Sequence, residues 1–164
     1  MEGLHPVSRA LFISGMRQVA SSVAVVTTHG AAGRHGATVS AFSSVSADPP
    51  QLLVCLRAAS RIAAAVEANG AFCLNILSHR HPHVAERFSG MHDSAVADRF
   101  EGLDLHREEH GFVVMKDATA FACTVSGRLS AGTHTIFLGR VQQVQTSDHD
   151  PLTYQQGRYR PLAQ

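Results

Sequence analysis

The regular patterning of the chain starts at Ser8. Leu11, Phe12, Met16 and Val19 recur at helical spacing behind this capping residue type, which predicts a helix with one apolar stripe. The short β-branched run VAVVTT, residues 23–28, predicts a strand. A glycine-rich turn, HGAAGRHG, leads into GATVSAFSSVSADPP at 36–50. This stretch reads as one strand, ended by Asp48-Pro49-Pro50 because proline cannot donate to a ladder. QLLVCL, residues 51–56, is a continuous apolar run and predicts a buried strand.

SRIAAAVEANG reads as a short helix, with Ser60 as its cap, Ile62, Ala65 and Val66 on one face, and Asn69-Gly70 as the stop. AFCLNIL, residues 71–77, predicts a strand. HPHVAERFSG predicts a helix with Pro82 in its first turn, Val84 and Phe88 inward, and Gly90 as the stop. Residues 91–117 read as polar and irregular. AFACTVSGRLSAG and HTIFLGRVQQVQT predict two long alternating strands joined through Ala131-Gly132-Thr133. Strands dominate, hairpins are frequent, and strands do not alternate regularly with helices. The expected class is mainly β, an antiparallel β-barrel with flanking helices rather than a doubly wound sheet. One domain over residues 1–164 is expected.

Composition narrows the partners. Of 164 residues, 45% are hydrophobic and only 16% charged, so apolar surface is expected to be covered in a homodimer. The formal net charge is +1 without a basic run, which argues against nucleic acid. No apolar stretch approaches the roughly 20 residues of a membrane-spanning helix. MEGLHPVSRA lacks the layout of a secretory signal. Cys55, Cys73 and Cys123 lie far apart in apolar runs, so buried free thiols in a reducing cytoplasm are expected.

Candidate chemistry starts with hydroxyls. Thr38, Ser40, Ser43, Ser44 and Ser46 crowd into nine residues, and no charge occurs between Arg34 and Asp48. Strand parity puts Thr38, Ser40, Ser44 and Ser46 on one face, opposite Val39, Ala41 and Val45. An exposed polar face usually also carries charges; small neutral hydroxyls suit close approach by a planar or phosphorylated ligand. Ser60-Arg61 opens a helix directly after a buried strand, so free N–H groups, a hydroxyl and a guanidinium make a phosphate cradle. His134, beside a glycine turn, offers a hydrogen bond to a ligand amide or phosphate. His79, His81 and His83 alternate, but Pro82 breaks the strand spacing and no cysteine or carboxylate completes a ligand set, so no metal site is expected. GxGxxG, Walker and GxSxG patterns are absent.

With these pieces the chain resembles the short flavin reductases of two-component flavin-dependent monooxygenases, the flavin reductase-like family with the FMN-binding split barrel. The resemblance rests on MRQVASSVAVVTT, GATVSAFSSVSADPPQLLVCL, SRIAAAVEANGAFCLNIL, AERFSG, DRFEG, GTHTIFLGRV and PLTYQQGRYRPL, over about residues 10–160. It implies a split β-barrel with Greek-key antiparallel strands. It implies NAD(P)H-dependent reduction of FMN or FAD, with NADH or NADPH as hydride donor and a separate monooxygenase as recipient. A flavin-binding sensor or carrier without turnover is the alternative. Carried over residue by residue, it implies flavin contacts at Thr38, Val39, Ser40, Ser43 and Ser44, and at Val54, Cys55 and Leu56. Ser60 and Arg61 would take the flavin phosphate, His134 the nicotinamide, and Phe88 and Tyr159 would shape the pocket. Two positions depart from the family pattern: Ala41 replaces a serine, expected on the apolar side, and Thr133 replaces the aspartate of a G-D-H turn, removing an orienting partner of the histidine.

Overall fold

Twelve strands and three helices form among the residues that the computed structural model describes, 6–90, 98–109 and 112–162. Helix α1 (Arg9–Met16) follows Ser8, whose hydroxyl accepts from Leu11 N–H at 3.2 Å. Its stripe finds no core: Leu11, Phe12, Met16 and the following Val19 are all exposed, and the helix buries no residue. The strands β1 (Ser21–Ser22) and β2 (Ala24–Thr28) come next. All five residues of β2 are buried, because the strand separates two cores.

The hydroxyl-rich stretch is two strands, not one. β3 (His35–Val39) stops at Ser40-Ala41, and β4 (Phe42–Ala47) runs on from there. β4 pairs with β5 (Pro50–Arg57) in a hairpin whose register shifts between Ser44 and Ser46. Break and bulge together cancel the single-parity face expected from sequence: Val45 is exposed, and so is Ala41. β5 alternates instead of being wholly buried, with Leu52, Val54 and Leu56 inward and Leu53 and Cys55 half-exposed.

Helix α2 (Arg61–Asn69) buries Ile62, Ala63, Ala65 and Val66 and ends at Gly70 with φ 67°. β6 (Ala71–Ile76) and α3 (Pro82–Phe88) follow as expected, with Val84, Ala85 and Phe88 inward. The stretch read as irregular holds two strands: β7 (Leu105–Glu109) pairs with β8 (Phe112–Met115). All four residues of β8 are buried, a run too short for periodicity to reveal. β9 (Thr119–Ala131) and β10 (His134–Gln145) form the long hairpin, and β11 (Thr153–Gln155) with β12 (Arg158–Arg160) closes onto β1.

The main sheet is antiparallel throughout, in the order β3-β2-β6-β9-β10-β5-β4. β6, β9, β10 and β5 lie in a Greek-key order. The two outermost strands, β3 and β4, are consecutive in the chain with only Ser40 and Ala41 between them. Those two residues leave no length to cross a flat sheet of seven strands, so the sheet curls round until its edges approach. Cys55 N–H donates to Ala41 C=O at 2.9 Å, which carries the β4–β5 pairing one step further into this link. The result is a mainly β, split-barrel architecture.

Val26, Leu52, Val54, Leu56, Phe72 and Phe137 fill the barrel, capped by Ile62 and Val66 of α2. A second core lies under α3 and β8, around Val25, Phe88, Phe100 and Val113. Asn75 is fully buried and stitches β8 onto the barrel. Its amide nitrogen lies 3.0 Å from Thr27 Oγ1 and 3.2 Å from Val113 C=O, while its oxygen accepts from Met115 N–H at 2.9 Å. Gly139 admits the Phe72 ring, since a Cβ there would stand 2.5 Å from Phe72 Cζ.

Candidate functional site

Three residues, Ala58, Ala59 and Ser60, turn the end of β5 into the start of α2. Ser60 Oγ accepts from Ala63 N–H at 3.3 Å and donates to Arg57 C=O at 2.6 Å. The serine proton is thus spent inside the cap. What the turn offers outward is the first free N–H groups of a nine-residue helix and the exposed side chain of Arg61.

The β9–β10 hairpin brings the histidine to this same place. His134 pairs with Arg57 as the end of the β10–β5 register, and Ala58 N–H donates to Thr133 C=O at 3.0 Å. His134 therefore stands beside the loop that leads into the helix cap. The ring is not left without an orienting partner: Thr133 Oγ1 lies 3.0 Å from His134 Nδ1. Arg57, exposed between His134 and Ser60, is a residue the sequence reading passed over. The only sequence signal was a cation at the end of an apolar strand; its pairing with a residue in a distant hairpin is a matter of register.

The hydroxyls divide among different tasks. Thr38 donates to Ala85 C=O at 2.6 Å and ties β3 to α3. Ser46 accepts from Asp48 N–H at 3.2 Å in the β4–β5 turn. Ser43 donates to the Ser44 carbonyl at 3.0 Å. Ser40 and Ser44 are exposed, and Ser40 sits at the seam beside Ala41 and Cys55. Cys55 in turn pairs with Ile136 of β10, so the strip Ala41–Cys55–Ile136 is small, apolar and at least partly accessible. Burial holds the Cys55 thiol above its ordinary range, so it stays neutral.

The remaining expected contacts lie deeper. Val54 and Leu56 are buried in the barrel core, and Val39 packs against that core from β3. Phe88 is 1% exposed and stacks edge-on against Phe100, with ring centroids 4.9 Å apart. Tyr159 packs on the same second core and contacts Tyr154. Phe88 and Tyr159 thus belong to the core beneath α3, whereas Ser40, Cys55, Arg57, Ser60, Arg61 and His134 gather at the seam and the end of β5. Among the described residues, no group of three His, Cys, Asp or Glu side chains is placed to hold a metal ion.

The gathered set carries two guanidinium groups, a histidine, free helix amides and no carboxylate. Glu67, on a later turn of α2, is paired with Arg128. This chemistry fits a phosphorylated ligand, and the neutral strip of Ala41, Cys55 and Ile136 fits a flat ring beside it.

Residues 16–163 match the family model described as "Flavin reductase like domain". The chain belongs to the flavin reductase-like family. Among curated relatives of this flavin reductase-like domain, an "FMN reductase (NADH) RutF 1" of Methylorubrum extorquens is 40% identical over 159 residues. The match covers 96% of this chain and 78% of that protein. The "4-hydroxyphenylacetate 3-monooxygenase reductase component" of Pseudomonas aeruginosa is 33% identical over 159 residues, covering 94% of this chain and 91% of that protein. Among solved structures, the NADH:FAD oxidoreductase SgcE6 of Streptomyces globisporus superposes with a TM-score of 0.87 at 27% identity. That match covers 100% of this chain and 99% of that one.

Proposed function

We propose that this protein is a flavin reductase that passes hydride from NADH to free FMN and supplies reduced flavin to a separate monooxygenase. The observation that carries the reading is the pairing of His134 with Arg57, because it unites the anion-binding helix end with the histidine at one surface. The names of the relatives support the class: the Methylorubrum protein is named for FMN and NADH, and the Pseudomonas protein for a monooxygenase component. FAD and NADPH are the competing choices.

Arg61, Arg57 and the first amides of α2 would hold the flavin phosphate by charge-assisted hydrogen bonds. Backbone and hydroxyl groups at Ser40 and Ala41 would take the ribityl chain and the ring edge. Cys55 and Ile136 would floor the ring without adding charge. His134 would donate a hydrogen bond to the nicotinamide and hold it over that ring. When bound, flavin and nicotinamide supply the hydride chemistry themselves, so the chain needs to position rather than to act as acid or base.

A homodimer fits the same reading. Leu11 and Phe12 of α1 are 64% and 59% exposed, and Leu129 of β9 is 63% exposed, a level of apolar exposure that a second copy would relieve. The three free cysteines and low charge fit a reducing cytoplasm. Among the described residues no helix is long and apolar enough to cross a membrane.

The deciding experiment mixes the protein, NADH or NADPH, and FMN or FAD, and follows nicotinamide absorbance. Oxidation well above the spontaneous rate is expected, fastest with NADH and FMN. Tight flavin binding without oxidation by either nucleotide would turn the reading to a flavin carrier or sensor.

A further inference from the structure

The tip of the β9–β10 hairpin holds its histidine from two directions. Thr133 C=O accepts from Ala58 N–H at 3.0 Å, which fixes the tip against the loop leading into α2. From that fixed backbone, the Thr133 hydroxyl lies 3.0 Å from Nδ1 of His134. The preceding Gly132 adopts φ 58°, the left-handed conformation that lets the two-residue turn deliver both groups to one side.

A neutral imidazole has one donor and one acceptor nitrogen, and the bond made at one fixes the role of the other. A hydroxyl can donate to Nδ1 without bringing charge. When it does, the ring proton must sit on Nε2, and Nε2–H becomes the donor available to a ligand. The nicotinamide carboxamide oxygen is an acceptor and matches that donor. Arg57 pairs with His134 from β5, and the turn residues Ala131, Gly132 and Thr133 carry no carboxylate. We propose that Thr133 is a positioning residue that locks His134 in the Nε2–H tautomer for recognition of the nicotinamide carboxamide.

The inference rests on the reductase reading for its ligand, but its tautomer does not. Imidazole ¹⁵N chemical shifts of histidine-labelled protein, taken at about pH 8 where free histidine is neutral, read the tautomer without turnover. A His134→Gln sample identifies the resonance. Wild type and Thr133→Ser should both show the Nε2–H form, and Thr133→Val should lose that preference. In turnover, Thr133→Val should raise KM for NADH by roughly 2- to 12-fold, the value of one net hydrogen bond, with a smaller change in kcat and in flavin Kd. Thr133→Ser should restore KM. An Nδ1–H form in the wild type overturns the proposal, as does a Thr133→Val protein with the wild-type tautomer and wild-type KM. If the wild type oxidises no NADH, the reductase reading fails, and the tautomer spectra still decide the role of Thr133.

Discussion

His134 and Arg57 face each other across β10 and β5 as the last pair of that ladder. The pairing makes one surface from two segments that are remote in sequence. A one-residue slip of β10 against β5 would turn His134 to the other face, so the hairpin register is as much a part of the site as the side chain.

Arg61→Ala should weaken flavin binding by roughly 10- to 150-fold, since a charge-assisted hydrogen bond contributes about 1.5–3 kcal/mol. Ser60→Ala should act differently. Its hydroxyl caps α2, so its main effect is about 1 kcal/mol of stability, with a secondary loss of affinity. Flavin fluorescence titration beside thermal unfolding separates the two. Unchanged affinity in the double variant would remove the phosphate from this helix end.

His134→Ala should raise KM for NADH more than it raises flavin Kd. Steady-state kinetics with varied NADH, alongside flavin titration, checks this. Equal losses would put His134 in the flavin site instead.

The three thiols should differ in reactivity. Burial raises both interior thiols, Cys123 to about 12 and Cys73 further still, and both are inaccessible. Cys55 is half-exposed, and its partial burial raises its thiol as well. A disulfide reagent should therefore modify one thiol in the native protein and all three in denaturant. Because the reactive form is the thiolate, the rate at Cys55 should keep rising with pH through the alkaline range. Added FMN should slow it. Labelling unaffected by saturating flavin would place the ring away from the seam.

Asn75→Ala should lower stability without touching the site. It orphans the buried Met115 N–H, a cost of about 1–3 kcal/mol, and leaves a cavity under β8. Thermal unfolding should show Tm lower by roughly 4–10 °C, with KM values unchanged in the folded protein.

Asp98 supplies a pH signature. The Phe100 N–H, and then the Arg34 guanidinium, hold its carboxyl below the usual range. A depressed folded value means that its stabilisation is present above the unfolded carboxylate value of about 3.9 and fades as pH falls through the lower folded one. The ion pair is partly exposed, so the effect is small. Asp98→Asn should lower Tm slightly at neutral pH, and the difference should vanish in acid below the folded value.

Much of the architecture was legible because local signals agreed. Ser60, the apolar face of α2 and Gly70 specified that helix from cap to stop, and the alternation in 119–145 specified the long hairpin. The hydroxyl stretch misled because alternation cannot announce a break or a bulge: Ser40-Ala41 and Val45 each reset the faces. Thr38 was legible as a hydroxyl, but not as a strut bonded to Ala85. Phe88 was rightly predicted inward, and that burial is what separates it from the seam. Arg57 and the Thr133–His134 bond depend on register and turn geometry, neither of which one sequence encodes by spacing.

Helix α1 spans eight residues and buries none of them. So short a helix gains too little from its own hydrogen bonds to persist unaided in water. In the proposed homodimer its amides become a built-in gauge of association. Their exchange with solvent should slow as protein concentration rises, while the amides of β2 and β6 stay protected at every dilution.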